Sequence, residues 1–101
     1  MARFLNSGSF TTFQKNVTTS GTPVQLDSNA VPDGVSVVIK AKRGNTGVIT
    51  VGNSSANSLN TGTTHFALQN DQSVSYQIQN SNLFWIDATV SVEGVEVTFE
   101  F

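Results

Sequence analysis

Apolar and polar residues alternate along most of this chain, with the period of strands and not of helices. Over Gly94–Phe101, Val95, Val97, Phe99 and Phe101 fall on one face and Glu96, Thr98 and Glu100 on the other. Successive strand side chains point to opposite faces, so a period of two marks a half-buried strand. Gln72–Gln79 sets Val74, Tyr76 and Ile78 against Ser73, Ser75 and Gln77. Val35–Lys42 sets Val35, Val37, Ile39 and Ala41 against Ser36, Lys40 and Lys42, with Val38 breaking the polar face. Phe10–Thr19, Thr22–Leu26, Gly47–Gly52 and Thr64–Gln69 read as further short strands. Leu83–Ala88 is almost continuously apolar, the pattern of a strand covered on both faces. Nowhere do apolar residues recur at i, i+3, i+4 and i+7, so no helix longer than about a turn and a half is expected.

Turn residues separate these runs. Pro32-Asp33-Gly34, Arg43-Gly44-Asn45-Thr46, Gln69-Asn70-Asp71-Gln72 and Val92-Glu93-Gly94 supply the chemistry of reversals. Seven to nine strands spaced by about 8–12 residues predict an all-β fold, a single antiparallel β-sandwich of jelly-roll or immunoglobulin-like type. Residues 1–9 carry no period and are expected to form an N-terminal arm, leaving 10–101 as the sandwich. The Ser/Asn/Thr-rich stretch Asn53–Thr64 is the longest polar interval and is expected to be a surface loop.

At 101 residues and 10.8 kDa there is room for one core. Charged residues make up only 12% of the chain, against about 25% in an average globular protein. Polarity comes from 12 Thr, 12 Ser, 10 Asn and 6 Gln instead. Five basic residues in a chain of net charge -2 do not form a phosphate-binding surface, so no nucleic-acid partner is expected. With no Cys there is no disulfide, thiolate metal site or thiol catalysis. No apolar run approaches the ~20 residues of a membrane span. Met1–Leu5 lacks the apolar stretch of a signal peptide, so synthesis in the cytoplasm without export is expected.

Chemistry-bearing residues are few. His65 is the sole imidazole, with no acid within five residues, and reads as a surface or interface histidine. Gly52-Asn53-Ser54-Ser55-Ala56 lacks the second glycine of a nucleophile elbow. Asp71, Asp87, Glu93, Glu96 and Glu100 could in principle pair, yet Glu96 and Glu100 lie roughly 13 Å apart along a strand. One calcium ion holds its oxygens at about 2.3–2.6 Å, so a solvated strand face is favoured over a metal site. Lys40, Lys42 and Arg43 either pair with acids on a neighbouring strand or form a docking patch for an acidic partner. Tyr76, Phe84 and Trp85 could stack on sugar rings, although Trp85 lies within Leu83-Phe84-Trp85-Ile86, which reads as core. Two Asn-X-Ser/Thr sequons, at Asn16 and Asn53, are coincidences of composition in a chain without an export signal. No glycine-rich phosphate loop is present, and no cofactor, metal or catalytic residue is expected.

Gly21-Thr22-Pro23-Val24-Gln25-Leu26, Val31-Pro32-Asp33-Gly34, Val37-Val38-Ile39-Lys40-Ala41, Asn45–Ser54, Asn82–Ala88 and Gly94-Val95-Glu96-Val97 together span about four fifths of the chain. This series resembles a small β-domain of tailed-bacteriophage virion structural proteins, of the capsid decoration (cement) type. The resemblance implies a non-enzymatic protein on the capsid surface that binds the major capsid protein and stabilises subunit junctions of the assembled head. The alternative it carries is a tail or head-fibre module that recognises host-surface glycan. A sandwich of this size buries only about 60–70% of its unfolded surface, so a homo-oligomer, preferably a trimer, is expected. Arg3, Phe4, Leu5, Phe10 and Phe13 are the residues expected to dock on a sister subunit or the capsid. In the competing arrangement Phe10 and Phe13 complete the sandwich as its first strand.

Overall fold

The structure, a computed structural model, describes residues 8–101. Eight strands follow the predicted order: β1 Phe10–Asn16, β2 Val24–Gln25, β3 Val37–Ala41, β4 Ile49–Gly52, β5 Phe66–Leu68, β6 Ser73–Tyr76, β7 Trp85–Ala88 and β8 Gly94–Glu100. One helical turn, α1 (Ser55–Ser58), and a 3-10 turn over Ser81–Leu83 are the helical elements among the described residues.

The strands form two four-stranded antiparallel sheets, ordered β1-β8-β3-β6 and β2-β7-β4-β5. The first strand pairs with the eighth, the second with the seventh, the third with the sixth and the fourth with the fifth. A single long antiparallel ribbon, doubled at β4–β5 and rolled over on itself, gives this set, which is the jelly-roll arrangement. Of the two expected topologies, the jelly roll is the one formed.

Register follows the alternation. Val37, Ile39, Val95, Val97, Phe99, Ile49, Val51, Leu68 and Ile86 face inward and are buried between the sheets. Val17, Leu26, Val31 and Val35 extend the same core from the loops. Lys40, Glu96 and Thr98 share the outer face of the first sheet, with Lys40 opposite Glu96 and Val38 opposite Thr98. A one-residue slip would have exposed every apolar side chain of β8.

Two turns show how local chemistry sets the ends. Val35 N donates to Pro32 O at 3.2 Å, with Gly34 at φ +78°. At the 92–94 reversal the positive φ falls on Val92, at +72°, and not on Gly94. Gly94 is required by proximity instead, because a Cβ there would overlap the Lys15 carbonyl oxygen on β1.

Phe13 stands opposite Val97 and packs, partly buried, on the core, the position the competing arrangement gave it. One expectation about the core needs correction. Trp85 is not core. It shares the outward side of β7 with Asp87, opposite Gly52, and is only half-buried, while Phe84 and Ile86 on either side of it are buried. The run reads as continuously apolar because the 53–64 segment covers this outer side.

Candidate functional site

The predicted docking residues divide three ways. Arg3, Phe4 and Leu5 lie outside the described residues. Phe13 packs, partly buried, against the core. Phe10 remains: it stands on the outer face of β1 opposite Glu100, 67% exposed. Ser9 and Phe101 exchange both backbone hydrogen bonds, at 3.0 and 2.9 Å, so the ladder runs one pair past Phe10. Beside Phe10 a shallow groove of about 680 Å³ reaches across the first sheet to Val38 and Thr98.

Strand β1 is also an unusual edge. The other edge strands, β2, β5 and β6, are two, three and four residues long, whereas β1 runs for seven. Its outer face is Phe10, Thr12, Gln14 and Asn16, all exposed and none charged. Proteins usually blunt a long edge with charge, proline or a bulge, since its unpaired N–H and C=O groups template further pairing. The outer face of β1 carries none of these from Phe10 to Asn16, and the strand's one charged residue, Lys15, stands on the inward row and pairs with Asp27.

The basic cluster is occupied by neighbouring acids. Lys40 Nζ lies 3.2 Å from both Asp71 and Glu96, and Arg43 lies 3.1 Å from Asp71. Hydrogen bonds to Asp71 and then Glu96 raise Lys40 above its usual value, and the same bond from Lys40, followed by Arg43, lowers Asp71. Lys42 donates to Asn16 Oδ1 at 2.8 Å. This arrangement matches the pairing reading and leaves little positive surface for an acidic partner.

The acids likewise serve structure. Asp87 is fully buried and accepts from the backbone N–H of Gly21, Asn60 and Ala88 at 3.0, 2.8 and 2.8 Å. It thereby ties the β1–β2 connection and the 53–64 segment to β7. Glu93 accepts from Thr46 N and Oγ1 and from Gly47 N, and these bonds, led by that from the Thr46 backbone, hold it below the ordinary carboxylate range. No group of three His, Asp or Glu residues able to hold a metal occurs among the described residues. His65 is half-buried, with Nδ1 3.1 Å from Leu59 O. Ser54 caps α1, accepting from Asn57 N at 3.1 Å.

A second groove, of about 690 Å³, opens at the mouth of the sandwich between edge strands β5 and β6. Phe66 and Tyr76 hold inward-facing positions there, opposite Val51 and Val37, yet remain 50% and 41% exposed. The Tyr76 ring meets that of Phe84 at 5.7 Å and 51°. Sequence reading singled out Tyr76 but not Phe66 or Leu83. The available signal was symmetry: Phe66 and Tyr76 stand five residues before and after Asp71, the turn residue between their strands.

Comparison of the chain with protein-family models, with curated proteins and with solved structures returned no match.

Proposed function

We propose that the chain is a decoration protein of a tailed-bacteriophage virion, which assembles as a homotrimer and binds the major capsid protein at subunit junctions of the finished head. One observation carries the reading: the seven-residue edge strand β1, whose outer face is uncharged and carries Phe10, two-thirds exposed. A jelly roll with short edges elsewhere and an open β1 has one strand suited to pairing with or packing on a neighbour. The resemblance of the turn and strand signatures to phage virion domains supports the context, and the surface rich in Ser, Thr, Asn and Gln suits a protein standing in solvent on a particle. Because fold alone does not fix function, the weight rests on the edge strand. Binding only the assembled shell would stabilise that shell by mass action.

Cosedimentation of the purified chain with heads of the encoding phage, stripped of the protein, tests the proposal. Saturable binding is expected, together with a trimer by analytical ultracentrifugation. Phe10→Ser should weaken head binding about tenfold or more without changing the β-sheet circular dichroism. Absence of the chain from purified virions, or head binding indifferent to Phe10→Ser, overturns it.

A further inference from the structure

We propose that the groove between β5 and β6 is a binding site for a neutral carbohydrate, with a pyranose ring lying against Phe66 and Tyr76. The inference is independent of the head-binding reading, since β1 and β6 are opposite edges of the first sheet.

The apolar wall comes first. Phe66, Tyr76 and Leu83 are among the most exposed large apolar side chains of the described residues, and three separate segments bring them to one groove. A space of about 690 Å³ falls within the roughly 300–1,000 Å³ usual for small-molecule sites. Aromatic rings offer flat, weakly hydrated surface that suits the C–H face of a sugar.

The polar rim is ordered in advance. Thr64 Oγ1 donates to Asn57 Oδ1 at 3.1 Å, and Asn57 Nδ2 donates to Asn53 Oδ1 at 2.8 Å. This relay fixes both amides, and among the described residues Asn53 Nδ2 donates to no protein acceptor. The lone pairs of Thr64 Oγ1 remain as acceptors on the same rim. Donor and acceptor side by side is what adjacent sugar hydroxyls require, each being both donor and acceptor.

Charge then selects the class. None of the residues lining the groove is charged. A phosphate, a sialic acid or a nucleic-acid strand would lack a cation here. A purely aliphatic ligand would cover the Asn53 amide and leave it unpaired, which is costly. A neutral ligand with one apolar face and a hydroxyl edge satisfies both walls.

The test is binding of the full chain to an array of neutral and sialylated glycans, followed by calorimetric titration of the strongest neutral binder. Retention of neutral glycans, with affinity nearly constant between low and high salt, is expected. Phe66→Ser should reduce affinity about tenfold or more. Asn53→Asp keeps the oxygen that accepts from Asn57 but removes the free donor, and should lose binding with an unchanged thermal midpoint. Phe10→Ser should bind glycan like the parent chain. No retention of any neutral glycan, salt-sensitive binding of acidic glycans alone, or affinity unaffected by Phe66→Ser would each overturn the proposal. So would an oligomer that Phe66→Ser disperses, because the groove would then be covered by a second copy.

Discussion

Replacing Asp87 by alanine should be among the most damaging single changes to this domain. Its side chain has no exposed surface and accepts three backbone N–H groups, from Gly21, Asn60 and Ala88. Hydrogen bonds to a charged acceptor are worth about 1.5–3 kcal/mol each, but three on one group are not additive. The alanine variant leaves donors of three segments without their acceptor, and with each unsatisfied buried group costing about 1–3 kcal/mol the loss is set at about 3–5 kcal/mol. Against a total stability of about 5–15 kcal/mol, that is a large fraction. For a domain of this size each kcal/mol moves the thermal midpoint by about 4–8 °C. Asp87→Asn keeps the shape and one acceptor but turns the other oxygen into a donor facing an N–H, so it should fall between parent and alanine. Urea unfolding followed by circular dichroism checks the order, and hydrogen exchange at the Gly21 and Asn60 amides checks the cause. An alanine variant within about 1 kcal/mol of the parent, or unchanged exchange at both amides, would refute the assigned role of Asp87.

Phe99 is 5% exposed on the inner face of β8, so Phe99→Ala should cost about 3–5 kcal/mol; an unchanged urea midpoint would contradict the register of β8. Val92 holds φ +72° while 66% exposed. A β-branched residue in that region is strained by about 1–3 kcal/mol, so Val92→Gly should raise stability by roughly 1 kcal/mol after glycine's entropic penalty, and a lowered thermal midpoint would show that no strain resides there. Asp71 and Glu93 are both lowered in the fold. Their contribution is therefore present above the ordinary carboxylate values and lost as pH falls through the depressed ones, so stability should drop on acidification below about pH 4. Glu93→Gln should flatten part of that drop in a pH series of thermal midpoints.

The strands were legible because one face of each is buried and the other is wet. Val95, Val97 and Phe99 alternate with Glu96 and Thr98, and nothing tertiary was needed to see it. Sheet order was not legible, because the pairing of β1 with β8 joins residues at opposite ends of the chain, and no local pattern encodes so long a closure. Trp85 misled for a related reason: a strand covered by a loop on its outer side looks the same in sequence as one sunk between two sheets. The loop itself gave little warning, since Ser58 and Asn60 are ordinary polar residues until Thr50 Oγ1 donates to Ser58 O and Asp87 accepts from Asn60 N. Phe13 and Phe10 show the limit most sharply. Both are expected docking residues, yet they stand three residues apart in one strand, and alternation sends one inward and the other out.

The two mouths of the sandwich are closed by different means, and this bears on where function resides. On the side of β1 and β2, Phe13 packs on the core and Lys15, next on the same inward row, reaches Asp27 at 3.0 Å just past β2. Both partners are solvated, so the pair adds little stability, but it bridges the two edges and leaves the outer face of β1 as the surface on offer there. On the side of β5 and β6 no ion pair joins the two edge strands among the described residues. Phe66 and Tyr76 hold the same inward positions and stay wet, with an amide relay beside them. Aromatic rings at the lip leave the groove open there. The same fold thus sets a seven-residue strand edge with an uncharged outer face at one side and a concave groove lined by no charged residue at the other.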